Sequence, residues 1–161
     1  MSKSYEDIRD MLLATRTEGL AGNGVLDTEI EKAECELGVE FPRSYKLFLK
    51  EFGWGYFGSL EVICGLGSDI PDEWEAGVSL LRVVPDERKG QLRFPGSLIP
   101  FCQNGAGDWY ALDCSVVSEN ESPVVFVPHE TIATEGFLAE LSSDSFADWI
   151  HSNLSGVVPY Q

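Results

Sequence analysis

Residues 38–55 read GVEFPRSYKLFLKEFGWG, and this stretch orders the rest of the chain. Gly38 suits the end of a preceding helix, because glycine takes the left-handed conformation without a side-chain clash. Pro42 suits the first turn of a new helix, where its missing N–H is no loss. Tyr45, Phe48, Leu49 and Phe52 then recur at i, i+3, i+4 and i+7. That spacing puts four large side chains on one helical face, a core-facing stripe. Gly53 and Gly55 stop the helix and turn the chain.

Working outward, residues 4–16 predict a first helix, with Tyr5, Ile8, Met11 and Leu12 on one face. Residues 19–24 read as a glycine loop. Thr28 opens a second helix, with Glu31 three residues on as a capping box and Ile30, Ala33 and Leu37 as its stripe. After the glycines, residues 57–64 predict a strand and residues 71–77 an acidic loop. Residues 78–89 are compatible with strand or helix, and Pro85 opposes a helix interior. Residues 97–103 and 109–114 predict two strands joined by the turn at 104–108, a hairpin. PVVFV at 123–127 predicts another strand. Residues 137–141 and 146–154 predict helices, the second carrying Phe146, Trp149, Ile150 and Leu154 on one face. Helices, then strands, then helices imply an α+β domain: a mainly antiparallel sheet with helices packed on one side.

At 161 residues and 43% hydrophobic content, the chain is expected to form one domain over 1–161 with a proper core. Met1 to Arg16 carries Glu6, Asp7 and Asp10 and no long apolar run, so neither a signal nor a transit peptide is expected there. No stretch approaches the roughly 20 apolar residues of a membrane span. A cytoplasmic setting is the expectation.

Charge is the strongest compositional signal. Eleven Lys and Arg face 27 Asp and Glu, a formal net charge of −16. The bias is uneven. Residues 1–93 hold all 11 basic residues, whereas residues 94–161 hold none and nine acids. Such a field repels nucleic acid and anionic membrane and attracts a basic protein. Acidity that only maintains solubility is the alternative reading.

Chemical motifs are sparse. Gly65-Leu66-Gly67 follows an apolar run, but Ile70 stands where a dinucleotide fingerprint needs its third glycine, and no lysine lies between Lys50 and Lys89 to complete a P-loop. Neither histidine, His129 nor His151, has a serine elbow or a partner at telling distance in sequence. Asp108 and Asp113 flank a strand and point to opposite faces, which opposes a shared metal or a carboxylate pair. Asp108 is expected to tie the turn to nearby backbone, and Asp113 to do the same at the other strand end. The cysteines at 35, 64, 102 and 114 have no metal-ligand spacing. Cys35, Cys64 and Cys102, in apolar segments, are expected to be reduced and mostly buried. No enzyme activity, metal or cofactor is expected.

Taken together, these residues resemble the SUKH superfamily. The stretch from Gly38 to Leu49, with its hydrophobic-Pro pair, Tyr45 and Phe48, and the closing Gly53 and Gly55, is similar to the family hallmark. Residues 61–67 with Pro71 resemble a strand and loop of bacterial members. Leu98-Ile99-Pro100-Phe101, Gly107-Asp108 and Leu112-Asp113 resemble the central hairpin, and Pro123-Val124-Val125 with His129-Glu130 the last strand. The resemblance runs over about 27–154, with the helix at 4–16 added in front. It also favours a helix over 78–89. Three positions depart from the pattern: Phe41 for leucine, Ser44 for an acid, and Phe52 for asparagine.

The resemblance implies a binding role. Bacterial members resemble immunity proteins encoded beside polymorphic or contact-dependent toxins, often nucleases; fungal members look like regulators of cell-wall assembly. The compact chain favours the bacterial type, and its implied partner is a cognate basic toxin, with no direct nucleic-acid or membrane contact. A regulatory scaffold is the alternative, and a small-ligand binder or enzyme using a pocket beside Gly107 and Asp108 is a third reading. For the contact surface, Asp69, Asp72, Glu73, Trp74 and Glu75 combine four carboxylates with an aromatic anchor. A solvated charged loop is the other reading of the same residues.

Overall fold

The computed structural model describes residues 2–129 and 139–156. Among them it shows two antiparallel sheets and six α-helices. The helices are α1 (Tyr5–Thr15), α2 (Asp27–Leu37), α3 (Arg43–Glu51), α4 (Glu75–Val78), α5 (Leu80–Lys89) and α6 (Phe146–Leu154). A small sheet pairs β1 (Arg16–Ala21) with β2 (Gly55–Phe57). The larger sheet has the order β3 (Leu98–Gln103), β4 (Trp109–Asp113), β5 (Val124–Val127), β6 (Glu140–Ser143). The result is an α+β domain.

The stripe on α3 forms the centre. Tyr45, Phe48, Leu49 and Phe52 are all buried. The Tyr45 ring meets Phe41, Phe48, Phe101 and Phe146 at centroid distances of 5.5, 6.0, 6.1 and 5.2 Å. Its hydroxyl donates to the Cys64 carbonyl at 2.6 Å, so the one polar atom on that face is satisfied. One side chain thus joins α3, the segment before Gly65, β3 and α6. Gly38 closes α2 as expected, with φ 73° and its N–H donating to the Glu34 carbonyl.

Pro42 precedes α3 but cannot cap it. The capping comes from a two-residue turn between β4 and β5. Ser118 and Glu121 exchange both backbone hydrogen bonds at 2.9 Å, and Glu119 and Asn120 between them have φ of 53° and 65°. This is the left-handed pair that a tight hairpin requires. Asn120 offers its carbonyl to the Arg43 N–H, and Glu121 accepts from both the N–H and the hydroxyl of buried Ser44.

Several local expectations are corrected. Residues 19–21 belong to β1, not to a loop, because pairing with distant β2 overrides the glycine signal. Helix α2 begins at Asp27 and its capping acid is Glu29, which accepts the Leu26 N–H at 2.8 Å; Thr28 and Glu31 do not play that part. The strand expected over 57–64 ends at Phe57. Gly58 turns left-handed and the chain doubles back, so that Gly55 and Ile63 exchange two backbone bonds. Residues 71–77 are not a loop: a 3-10 turn, Asp72–Trp74, leads into α4. Residues 80–89 are helical despite Pro85. Of the helix expected at 137–141, residues 137 and 138 lie outside the described residues, and Glu140 and Leu141 are in a strand. Glu130 also lies outside them. Cys64 and Cys102 are buried, but Cys35 is exposed on α2.

Candidate acidic contact surface

Gly53 and Gly55 bring the chain out of α3 so that Trp54 is 2% exposed, packed with Ile70 and Val78 in a small apolar cluster apart from the main core. This cluster is the floor of the surface. Asp69 is fixed to it: its carboxylate accepts the Trp54 indole N–H and the Asn23 backbone N–H, each at 2.9 Å. The Trp74 N–H then closes the 3-10 turn onto the Pro71 carbonyl. Trp74 is 38% exposed and stands edge-on to Trp54 and Tyr56, at 6.2 and 6.5 Å. Aromatic pairs at this distance and angle are favourable and hold the ring in one orientation.

Asp72, Glu73 and Glu75 are exposed around that ring. Among the described residues none of them forms an ion pair. Some acids elsewhere are paired among the described residues. Lys46 pairs with Glu34 and Glu40, Lys50 with Asp27, and Arg43 with Glu6. The Arg43 contact holds the Glu6 carboxyl down at about 2. A groove of about 410 Å³ between α2, α3 and the 117–122 turn is bordered mostly by paired charges, Glu31 excepted, while Asp72, Glu73 and Glu75 form no ion pair among the described residues.

The five residues nominated from the sequence do converge, but in two roles. Asp69 serves the fold; Asp72, Glu73, Trp74 and Glu75 face outward. Sequence reading missed three further acids. A cavity of about 190 Å³ opens beside Ala76 and Gly77, and Glu61, Asp86 and Glu87 line it with Trp109. Burial, then the neighbouring Asp86, pushes the Glu87 carboxyl above its ordinary range. Asp86 and Glu87 are neighbours on α5 and Glu61 comes from the segment after β2, so no local pattern joins the pair to Glu61.

The glycine loop is a crossing of backbones. Gly65 and Leu66 spend their N–H groups on the carbonyls of Val78 and Gly53, and Gly65 returns its own carbonyl to Leu80. A side chain at Gly65 would collide with the Gly53 carbonyl. Neither N–H is left to hold a phosphate.

At the hairpin, Asn104 rather than Asp108 ties the turn, accepting from Ala106 and Asp108 N–H groups. Asp108 reaches across to His129, accepting its backbone N–H at 3.0 Å, with the ring Nδ1 at 2.6 Å, and also holds Asn104. These bonds, the His129 backbone N–H foremost, keep its carboxyl below the usual range. Gly107 fits under that ring, 3.4 Å from where its Cβ would be. Asp113 accepts the N–H and hydroxyl of Ser115, as expected for a strand end. The nearby cavity is lined by Gln103 and Trp109, not by Gly107 or Asp108. Among the described residues no cluster of His, Cys, Asp and Glu has metal-binding geometry, and no helix is long and apolar enough to cross a membrane.

A family model described as "SUKH_6: SMI1-KNR4 cell-wall" matches residues 27–150. The chain belongs to the SUKH superfamily. No curated protein matches it.

Proposed function

We propose that this chain is an immunity-type binding protein that neutralises a cognate basic toxin domain, of the nuclease kind, in the cytoplasm and without catalysis of its own. The observation that carries the reading is the unpaired acidic set of Asp72, Glu73 and Glu75 around Trp74, whose ring is held by Trp54 and Tyr56. A nucleic-acid enzyme is basic where it grips phosphates. An acidic partner with a preset aromatic anchor covers such a surface and meets it quickly. The cavity of Glu61, Asp86 and Glu87 adjoins this surface and accepts one basic side chain of the partner, relieving the mutual repulsion of its carboxylates.

The test is capture from source-cell lysate on immobilised wild-type chain and on the triple variant Asp72→Lys, Glu73→Lys, Glu75→Lys, washed at low and high salt. The expected result is one basic toxin domain, salt-sensitive, associating at least about tenfold more slowly with the variant. Growth rescue against that toxin by the wild type, lost in the variant, completes it. Equal association with both chains, or no rescue, overturns the proposal.

A further inference from the structure

Helices α2 and α3 run antiparallel. Asp27 pairs with Lys50 at one end, at 3.3 Å, and Glu34 with Lys46 towards the other, at 3.4 Å. The groove of about 410 Å³ lies between them. Both helices line it at i, i+3, i+4 and i+7, from Asp27 to Glu34 and from Arg43 to Lys50, a length of about 10 Å. The 117–122 turn closes one end, where the Asn120 carbonyl accepts the Arg43 N–H. That turn joins β4 to β5 at the end of the sheet opposite Val127 and Glu140, the residues that flank the undescribed stretch 130–138.

Two groups in the groove are not used by the fold. The first is a hydroxyl. Among the described residues three polar side chains are buried, Ser44, Ser122 and Ser145. Ser44 gives its hydroxyl to Glu121, and Ser145 bonds Asp148. Ser122 is 1% exposed and lines the groove, yet its hydroxyl has no hydrogen bond among the described residues and is not sealed from the groove. The second is a charge. Glu31 forms no ion pair among the described residues, Lys46 is shared between Glu34 and Glu40, and Arg43 is taken by Glu6, outside the groove. The groove therefore carries an excess of negative charge beside half-buried Leu47 and Val117, the latter 65% exposed. A second copy of a chain with net charge −16 would bring the same sign. We infer that the groove receives a short peptide segment of another protein in which a basic residue neighbours an apolar one. The cation meets Glu31, the apolar side chain covers Leu47 and Val117, and the peptide backbone bonds the Ser122 hydroxyl. The groove shares no residue with the Trp74 surface, so the inference stands apart from the toxin reading.

The probe is a dye-labelled hexapeptide alternating arginine and leucine, blocked at both ends. The control alternates arginine and serine, with equal charge and no apolar side chain. Fluorescence anisotropy reads binding, and amide chemical shifts read its place. The expected result is binding of the first peptide with shifts at 27–50 and 117–122, and about tenfold weaker binding of the control. Glu31→Lys and Val117→Lys, both exposed positions, should each weaken binding about tenfold. Glu36→Lys, the same charge change on α2 outside the groove, should alter it by no more than about twofold. Ser122→Ala should weaken binding about threefold with an unchanged urea midpoint, because the hydroxyl bonds nothing in the free chain. Equal binding of both peptides, or equal loss in Glu31→Lys and Glu36→Lys, means attraction by the field alone and overturns the inference. Shifts confined to 69–75, binding of neither peptide, or a lowered midpoint in Ser122→Ala overturns it equally.

Discussion

The Glu121 carboxylate holds Ser44 twice, accepting its backbone N–H at 3.0 Å and its hydroxyl at 2.8 Å across 77 residues of sequence. Helix α3 thereby gains the cap that Pro42 cannot give. The family resemblance implied an acid just before Tyr45. Here a serine stands in that place, and the acid arrives from the hairpin between β4 and β5. Replacing Glu121 with alanine leaves the Ser44 N–H and hydroxyl without partners and is expected to cost about 1–2 kcal/mol in urea denaturation. Ser44→Ala in the Glu121→Ala background is expected to cost less than alone, the sign of a shared interaction.

The same pair gives a pH dependence. Burial raises the Glu121 carboxyl above its ordinary range, against the lowering pull of Ser44 and Arg43. A carboxyl raised by folding favours the folded state when protonated. That contribution is complete below the ordinary glutamate value of about 4.3 and is lost as pH rises through the folded value. The stability of the wild type relative to Glu121→Gln should therefore fall as pH rises above about 4.3. Asp108 runs the other way, since its folded value is lowered. Its contribution is present above the ordinary aspartate value and is lost as pH falls through the folded one, so Asp108→Asn should weaken resistance to acid.

Gly65 and Gly77 should separate sharply. Alanine at Gly65 meets the Gly53 carbonyl, a backbone atom that cannot swing aside. The expected cost is about 3 kcal/mol or more, or loss of folded protein. Gly77 lies exposed in α4 with nothing within 4 Å of a new Cβ. Alanine there should be neutral or stabilising by about 0.4–1 kcal/mol. Urea curves of the two variants decide it.

Asp69 and Asp72 sit three residues apart and should behave differently. Asp69→Ala removes the acceptor of the Trp54 indole and of the Asn23 N–H. It should lower stability by about 1–2 kcal/mol and change the tryptophan emission. Asp72→Ala should leave both within error, because its carboxylate has no hydrogen bond or ion pair among the described residues.

The sequence disclosed elements whose signal is local and periodic. Tyr45, Phe48, Leu49 and Phe52 are spaced for one face, and they fill the core; Phe146, Trp149, Ile150 and Leu154 do the same. It failed where distant backbone decides. Arg16–Ala21 is a strand only because β2 lies alongside, and residues 58–64 lose theirs to a turn at Gly58 and a pairing of Gly55 with Ile63. The acidic surface was legible in Asp72, Glu73, Trp74 and Glu75 because they are contiguous. Glu61 meets Asp86 and Glu87 only through the fold, and the role of Asp69 could not be read before the indole of Trp54 was placed. Strand β6 was hidden as well, because residues 137–141 carried an apolar spacing that read as helix.

The absence of lysine and arginine after Arg93 has a consequence for chemistry at the bench. The whole larger sheet, from Leu98 to Ser143, offers no primary amine. Amine-directed cross-linkers pass over it, and trypsin leaves residues 94–161 as one fragment. A partner seated on this sheet would go unseen by lysine footprinting, whereas carbodiimide coupling at Glu119, Glu140 and Asp144 would mark its position directly.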